Sequence, residues 1–208
     1  MMTSEVVHVV DDDIAVRQSL AFLLSTDGLP VRVHDSAESF LMNMTEFSGG
    51  CIVTDVRMPG IDGLDFLARL RDRGVDMPVI VMTGHADVPL AVEAMKRGAV
   101  DFLEKPFEDE ALLSAIRTAL DRRKGGMEPK AQSVDIRERV EALSERERQV
   151  LEGLLAGKAN KVIAFDLEIS PRTVEIYRAN VMTKMQATSL SHLVRLTLQS
   201  GSALKYKP

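Results

Sequence analysis

The chain has 208 residues, enough for one large domain or two small ones whose cores need neither disulfides nor metals. A single cysteine, Cys51, excludes a disulfide scaffold, and its Val- and Ile-rich surroundings predict a buried thiol in a reducing compartment. The sequence shows neither a signal-peptide pattern nor an apolar stretch near the roughly 18 residues of a membrane span. We therefore expect a cytoplasmic globular protein with no membrane partner.

The two halves of the chain carry opposite charge. Residues 1–120 contain 10 Lys and Arg against 20 Asp and Glu, whereas residues 143–208 contain 10 against 6. The stretch between them, from Asp121 to Lys130, combines Gly, Pro and alternating charges, which is typical of a linker. We predict a first domain at residues 1–124, a linker at 125–142 with a short polar helix from Ser133 to Glu141, and a second domain at 143–208.

Short Val- and Ile-rich runs alternate with amphipathic segments in the first domain. The runs are Val6–Val10, Val31–His34, Cys51–Thr54, Val79–Thr83 and Val100–Leu103. Because these runs are apolar at successive positions, they favour strands buried on both faces of a sheet. We predict an α/β domain with a doubly wound, five-stranded parallel sheet covered by helices on each side.

Polar residues follow four of these strands, at the edge where a parallel sheet binds its ligands. They are Asp11 and Asp12, Asp55, Thr83 and Lys105. Three carboxylates crowded into one small space need a cation or shared protons to relieve their repulsion. Oxygen ligands around an open position suit Mg²⁺, which pairs with a phosphoryl group. The neighbouring Asp13 is interpreted instead as a helix cap or a solvated charge.

Four motifs at these strand ends resemble the receiver domains of bacterial response regulators. They are Val9-Val10-Asp11-Asp12-Asp13, Asp55-Val56-Arg57-Met58-Pro59-Gly60-Ile61-Asp62-Gly63, Thr83-Gly84-His85-Ala86 and Lys105-Pro106-Phe107. The resemblance implies a flavodoxin-like fold in which Asp55 accepts a phosphoryl group from a phosphohistidine of a sensor histidine kinase. It also implies that Asp12, Asp55 and the backbone carbonyl of Arg57 hold Mg²⁺, with Asp11 contributing directly or through water.

The residue types at this edge suit that chemistry. A carboxylate that attacks phosphorus meets an anion, so Mg²⁺ and the Lys105 ammonium are needed to neutralise the phosphoryl oxygens. Once Asp55 is phosphorylated, the Thr83 hydroxyl can bond a phosphoryl oxygen and make room for Phe102 to turn. Pro106 is a candidate cis residue that aims Lys105 at the site.

The second domain lacks strand-like runs, and its sequence pattern predicts four helices. The helical segments are Glu145–Ala156, Lys161–Leu167, Arg172–Met185 and Leu190–Gln199. Ser144 and Glu147 form a capping box, and Asn160 is predicted to cap the second helix. Ser170 and Pro171 predict the start of the third. Two short helices joined by a tight turn indicate a helix-turn-helix in a small all-α domain.

The third of these helices has an apolar side and an outward side. Val174, Tyr177, Val181 and Met185 repeat at helical spacing and predict the core side. The outward residues include Glu175, Ile176 and Ala179, and the two apolar ones suit thymine methyl groups in a major groove. Arg172 and Thr173 are predicted to reach phosphate or base edges, and Lys161, Arg178 and Lys184 to contact phosphate.

The second domain resembles the LuxR/GerE type of output domain. The segments that carry this resemblance are Leu143-Ser144-Glu145-Arg146-Glu147-Arg148-Gln149-Val150-Leu151, Ser170-Pro171-Arg172-Thr173-Val174-Glu175, Asn180-Val181 and Lys184-Met185. Tyr177 departs from the histidine common in that family. The resemblance implies binding to double-stranded promoter DNA and work with RNA polymerase.

The whole chain is similar to the rhizobial regulators of nitrogen fixation, through Gly84-His85-Ala86-Asp87-Val88-Pro89 and Glu104-Lys105-Pro106-Phe107-Glu108-Asp109. This resemblance implies a haem-based sensor kinase of the FixL type and activation of nitrogen-fixation and microaerobic genes. Regulators of other pathways share most of these residues, so the pathway stays open. We further predict that phosphorylation makes the first domain dimerise through Asp87–Arg97 and Val100–Glu104.

Two alternatives belong to other functional classes. A Mg²⁺-dependent phosphatase with an Asp nucleophile carries a second acid two positions later, where this chain has Arg57. We therefore expect no enzyme beyond slow loss of the chain's own phosphoryl group. An RNA-binding antiterminator or a protein-binding adaptor would not explain the outward Ile176 and Ala179.

Overall fold

The computed structural model describes residues 5–44, 49–84, 88–123 and 131–199, which form five strands and ten helices. The chain divides into two compact units, Met1–His85 with Lys96–Gly126, and Ala86–Met95 with Met127–Pro208. None of the helices in these described ranges is long and apolar enough to cross a membrane. The predicted linker residues 124–130 lie outside the described residues.

The elements occur in the order that the sequence patterns predict. In chain order they are β1 (Val6–Val10), α1 (Ile14–Thr26), β2 (Val31–His34), α2 (Ala37–Asn43), β3 (Gly50–Asp55), α3 (Gly63–Asp72), β4 (Val79–Thr83), α4 (Val88–Lys96), β5 (Asp101–Glu104), α5 (Asp109–Arg123), α6 (Ala131–Glu141), α7 (Glu145–Leu155), α8 (Asn160–Asp166), α9 (Pro171–Met185) and α10 (Leu190–Gln199). Two strands differ from their predicted bounds: β3 extends one residue further at each end, and β5 is shifted by one residue.

The five strands form one parallel sheet in the order β2-β1-β3-β4-β5. Every residue of β3 and β4 is buried, as expected for strands covered by helices on both faces. In this register Val10 lies beside Thr54 and Asp55 beside Met82, so the strands end at a common edge. The doubly wound parallel sheet predicted from the sequence is confirmed.

Side chains alternate between the two faces of the sheet. On one face, Leu24 of α1 and Ile116 of α5 pack over Val9 and Val53. On the other face the rings of Phe40 and Phe66 meet edge to face, with centroids 5.3 Å apart. Next to Phe40, His8 Nδ1 lies 3.2 Å from His34 Nε2, and both rings are buried. The helices of the first unit are thus fixed to the sheet by two separate apolar layers.

Local caps set the starts of the helices around the strand ends. Asp13 is the N-cap of α1 and accepts a hydrogen bond from the Ala15 N–H, as predicted. Asp62 caps α3 by accepting from the Asp65 N–H at 2.8 Å. A Cβ atom on Gly63 would collide with the carbonyl oxygen of Asp55, so only glycine lets α3 begin this close to the end of β3.

The second unit confirms two of the three predicted helix starts. Ser144 and Glu147 form the complete capping box of α7, and Ser170 caps α9 with Pro171 in its first turn. The prediction that Asn160 caps α8 is wrong. Asn160 is the first helical residue, and Ala159 occupies the cap position without a side-chain hydrogen bond.

One apolar core in the second unit joins the five helices from α6 to α10. The inward stripe of α9 is confirmed, because Val174, Val181 and Met185 are fully buried and Tyr177 packs against the same cluster. The helix predicted within the linker also belongs to this core, where the buried Ile136 packs. It is fixed further by Arg139 of α6, which donates to the Met185 carbonyl oxygen at 3.1 Å.

Candidate functional site

The carboxyl ends of β1, β3 and β5 bring two carboxylates and one ammonium together. Asp11 and Asp55 are only 2% and 8% exposed. Lys105, which follows β5, lies with its Nζ 2.9 Å from Asp11 Oδ2 and 2.7 Å from Asp55 Oδ1. Three of the residues predicted to form this site are thus in direct contact, and Asp12 is exposed directly after Asp11.

Backbone N–H groups orient both carboxylates. Asp55 Oδ2 accepts from the Arg57 N–H at 2.6 Å, and Asp11 Oδ1 accepts from the Asp13 N–H at 2.9 Å. In each carboxylate, one oxygen therefore accepts a hydrogen bond from the Lys105 ammonium, and the other accepts one from a backbone N–H two residues later. This arrangement fixes the planes of both groups before any ligand arrives, which is the preorganisation that a transfer site needs.

The position of Lys105 is set by its backbone and its charge by its partners. Its N–H donates to the Thr83 carbonyl oxygen at 2.7 Å, and the Lys105–Pro106 peptide bond is cis, as predicted. Burial opposes the charged form, but the hydrogen bonds that the Lys105 ammonium donates to Asp55 and Asp11 outweigh it and raise the pKa of this group above its usual value. The ammonium therefore stays charged at neutral pH and offsets part of the acidic charge of the site.

The oxygen atoms of this site fit Mg²⁺. The described residues contain no group of three or more His, Cys, Asp or Glu side chains arranged as a complete metal site. Mg²⁺ needs less than that, because one or two carboxylates, waters and a substrate phosphate usually complete its octahedron. Asp11 and Asp55 supply such a pair on adjacent strands, and Arg57, whose N–H bonds Asp55, lies in the loop beside them.

Thr83 and Phe102 lie on the neighbouring strands β4 and β5. Thr83 ends β4 at the site edge, is buried, and pairs in register with Glu104. Phe102 is half-buried on β5 opposite Val81 and is absent from the described core cluster beneath α1 and α5, which Leu103 joins. Its half-buried ring is consistent with a side chain that can change position.

Two residues near the site were not predicted from the sequence. Glu38 of α2 accepts from the Ile61 N–H at 3.0 Å and thereby ties α2 to the loop after Asp55. Arg17 of α1 donates to the carbonyl oxygen of Asp11. Glu38 and Ile61 are far apart in the sequence, and Arg17 lies in a helix whereas Asp11 lies in the loop before it. Neither contact therefore leaves a local sequence motif.

The second candidate site is the outward surface of α9. Arg172, Glu175, Ile176 and Ala179 are all exposed, and Ile176 remains 55% exposed although it is apolar. The helix α8 packs against α9 and is joined to it by the turn 167–170. These two helices form the helix-turn-helix that the segment lengths predict.

The basic residues predicted to contact phosphate fall into two groups. Lys161 is exposed at the start of α8, and Arg178 is half-buried on α9. Lys184 differs, because its Nζ lies 2.7 Å from the buried Glu147 Oε2. Its ammonium is thus bonded within the second unit, and we propose that it stabilises this packing rather than contacting phosphate. The Thr173 hydroxyl is also hydrogen-bonded within the second unit, since its Oγ1 lies 2.8 Å from Ser170 Oγ.

Comparisons with known proteins identify both domains. Residues 7–117 match the response regulator receiver domain, and residues 141–197 match the bacterial regulatory proteins of the luxR family. The chain is 61% identical to the transcriptional regulatory protein FixJ of Azorhizobium caulinodans, over 95% of this chain and 93% of that one. It is 54% identical to FixJ of Bradyrhizobium diazoefficiens, over 97% and 98% of the two chains.

A solved structure shows the same relationship. The crystal structure of full-length FixJ from B. japonicum is 54% identical, covers 96% of this chain and 98% of its own, and aligns with a TM-score of 0.58. The chain therefore belongs to the response regulators of the FixJ type, which regulate transcription through a receiver domain joined to a luxR-family DNA-binding domain.

Proposed function

We propose that Asp55 accepts a phosphoryl group from the phosphohistidine of a sensor histidine kinase. The observation that carries this proposal is the convergence of the buried Asp55 and Asp11 carboxylates on the Lys105 ammonium. In the transfer, the N–P bond of phosphohistidine breaks, an O–P bond to an Asp55 carboxylate oxygen forms, and the histidine leaves as imidazole. Asp11, Asp12, Asp55 and the Arg57 carbonyl would hold Mg²⁺, which supplies positive charge for the phosphoryl oxygens.

The residues around Asp55 have separate roles in the transfer and in the response to it. The Arg57 N–H holds Asp55 Oδ2, which fixes the direction of the carboxylate. Lys105 is already bonded to the other oxygen and needs a small movement to reach a phosphoryl oxygen. Thr83 at the end of β4 bonds the phosphoryl group, and Phe102 turns inward as that loop moves. The chain transfers the group to no external substrate, since Arg57 stands where a phosphatase would place its general acid.

For the second unit, α9 is proposed to read promoter DNA in the major groove. Ile176 and Ala179 contact thymine methyl groups, while Arg172, Thr173 and Glu175 reach base edges or phosphates near the start of the helix. Lys161 and Arg178 contact phosphate. Ile176 and Ala179 form an exposed apolar patch. This patch supports the assignment, because contact with water does not stabilise apolar side chains and contact with thymine methyl groups does.

The partners follow from the family. Relatives that are 53% to 61% identical are named FixJ, so we assign this chain a FixL-type sensor kinase, RNA polymerase and promoters of nitrogen-fixation genes, which it activates. We place the receiver at residues 1–124, the linker at 125–142 and the DNA-binding domain at 143–208.

Phosphorylation is proposed to make the receiver dimerise through the face from Asp87 to Arg97 and Val100 to Glu104. The apolar residues Ala91, Val92 and Met95 of this face are buried. Asp87 and the Val88 side chain lie outside the described residues. Dimerisation through α4 therefore requires that phosphorylation first exposes these apolar side chains.

Acetyl phosphate labelling tests the assignment of Asp55. The mass of the intact protein should rise by one phosphoryl group when Mg²⁺ is present and stay unchanged with a chelator. Asp55→Asn should remove the label, whereas the control Asp62→Asn, which keeps a capping side chain on α3, should retain it. Stoichiometric label on the Asp55→Asn variant would place the acceptor elsewhere.

A further inference from the structure

A cavity lies in the receiver at the end of the sheet opposite the proposed phosphorylation site. It has a volume of about 640 Å³ and lies where β4 begins, between the ends of α3 and α5 and the loop before β5. The start of β4 at Val79 is four residues from Thr83, or about 13 Å along the strand. The two sites are therefore separate, and none of the residues assigned to phosphoryl transfer lines this cavity.

The lining of the cavity is strongly basic. Arg71, Arg97, Arg122 and Arg123 line it, whereas Asp76 is the one acidic residue in the described lining. Arg97 also pairs with the exposed Asp65 at 3.3 Å, and the four arginines still outnumber the one acidic residue of the described lining. The basic lining occurs in a domain, residues 1–124, that contains 21 acidic against 13 basic residues. Overall composition therefore does not explain the cluster.

Helix ends alone do not account for these four arginines. Arg71 lies in the last turn of α3, and Arg122 and Arg123 in the last turn of α5, where the helix dipole favours a cation. However, both helices end at the same cavity, and Arg97 joins them from the separate loop before β5. The Arg123 guanidinium is seated against the backbone of Gly49, where a Cβ atom would collide with it. Three segments thus contribute arginines to the lining of one cavity.

The floor of the cavity is apolar and its mouth is open. Leu67, Leu70, Val79 and Ala119 are buried in the lining. The rim turns at Gly74 and Gly98, and no described atom lies within 4 Å of the position a Cβ would take on either one. A ligand can therefore place an apolar group on the floor while its anionic group meets the rim.

We infer that this cavity binds an organic phosphate of nucleotide size. Guanidinium groups bond phosphate oxygens in pairs, and several of them match a di- or triphosphate better than a single carboxylate. The volume falls within the range of about 300–1,000 Å³ that small-molecule sites occupy. The apolar floor suits the base of a nucleotide, which inorganic phosphate lacks.

Isothermal titration of the full chain with ADP tests this inference. A chelator is present throughout, so that the phosphorylation site cannot hold a phosphate through Mg²⁺. ADP should bind the wild type, and inorganic pyrophosphate should bind at least about tenfold more weakly because it leaves the apolar floor empty. Arg71→Gln should weaken ADP binding about tenfold, the loss expected for one charge-assisted hydrogen bond.

Matched variants separate this site from others. Arg69→Gln removes the same charge from another exposed position in the last turn of α3, but Arg69 does not line the cavity, so ADP binding should be unchanged. Arg172→Ala in α9 should also leave it unchanged. The inference is overturned if ADP does not bind the wild type, if pyrophosphate binds as tightly as ADP, or if Arg69→Gln or Arg172→Ala weakens binding as much as Arg71→Gln.

Discussion

Lys184 of α9 donates from Nζ to Glu147 Oε2 at 2.7 Å, and the same Glu147 oxygen accepts from the Ser144 N–H at 2.8 Å. A residue of the proposed recognition helix thus closes the capping box that begins α7. The hydrogen bond from Lys184, followed by that from the Ser144 backbone, lowers the pKa of the Glu147 carboxyl to about 2. The pair ties the start of α7 to the end of α9 within the second unit.

Removing this contact should destabilise the second unit. Lys184→Met leaves the buried Glu147 carboxylate without its cation, and we expect the free energy of unfolding to fall by about 1–2 kcal/mol at pH 7. Because the pKa of Glu147 is lowered in the folded state, its contribution is present above about pH 4.5 and is lost as the pH falls toward 2. Urea unfolding at pH 7 and pH 3 checks this, and an equal loss at both pH values would contradict the role of the pair.

DNA binding should separate Lys184 from the other cations. Lys161→Met and Arg172→Ala should each flatten the dependence of log affinity on log salt by about one unit, because each removes a phosphate contact. Lys184→Met should leave that slope unchanged, since its ammonium is bonded to Glu147. Ile176→Ala should change base preference with little effect on the slope. Fluorescence anisotropy with a promoter duplex measures all four, and RNA of the same sequence should bind more weakly than the duplex.

The buried pair His8 and His34 should make the receiver less stable in mild acid. Burial, followed by the charge of the neighbouring ring for His8 and of Arg32 for His34, lowers the pKa of each histidine to about 4. Their unfolded pKa is near 6.5, so the stability that they contribute is complete above that pH and declines as the pH falls toward 4.

NMR of the imidazole rings tests this most directly. Neither His8 nor His34 should titrate between pH 8 and pH 5.5, and the urea midpoint of the receiver should decrease below pH 6.5. A ring that titrates with a midpoint near 6.5 would show that it is not held neutral by burial. The comparison variant His192→Gln in α10 should leave both observations unchanged.

Glu38 should act as a positioning residue for phosphorylation. Glu38→Ala removes the acceptor for the Ile61 N–H, so the loop after Asp55 loses one anchor and labelling by acetyl phosphate should slow about fivefold. Glu38→Gln keeps an acceptor oxygen and should restore the rate. Equal rates in wild type and Glu38→Ala, with unchanged circular dichroism, would show that this contact does not position the loop.

Much of the fold and of the proposed phosphorylation site could be predicted because the signals are local. Runs of Val and Ile predict the buried strands, and the carboxyl ends of parallel strands meet at one edge, which brings Asp11, Asp55 and Lys105 together. The capping box of α7 likewise lies within four consecutive residues.

Contacts between distant residues could not be predicted in the same way. Glu38 is 23 residues from Ile61, and Lys184 is 37 from Glu147, so neither pairing leaves a sequence motif. Asn160 was misplaced because residues that favour caps also occur in first turns, and only the extended backbone of Ala159 decides between them. The four arginines of the cavity opposite the proposed phosphorylation site come from α3, α5 and the loop before β5, which meet only in the folded chain.

The link between Asp55 and DNA binding is tested most directly by the affinity of the full chain for promoter DNA before and after phosphorylation. Wild-type protein treated with acetyl phosphate and Mg²⁺ should bind at least about tenfold more tightly, within the range usual for coupling between two sites. Asp55→Asn should show no gain, while Asp62→Asn should gain as the wild type does. An unchanged affinity of fully labelled wild type, or an equal gain in Asp55→Asn, would contradict control of DNA binding through Asp55.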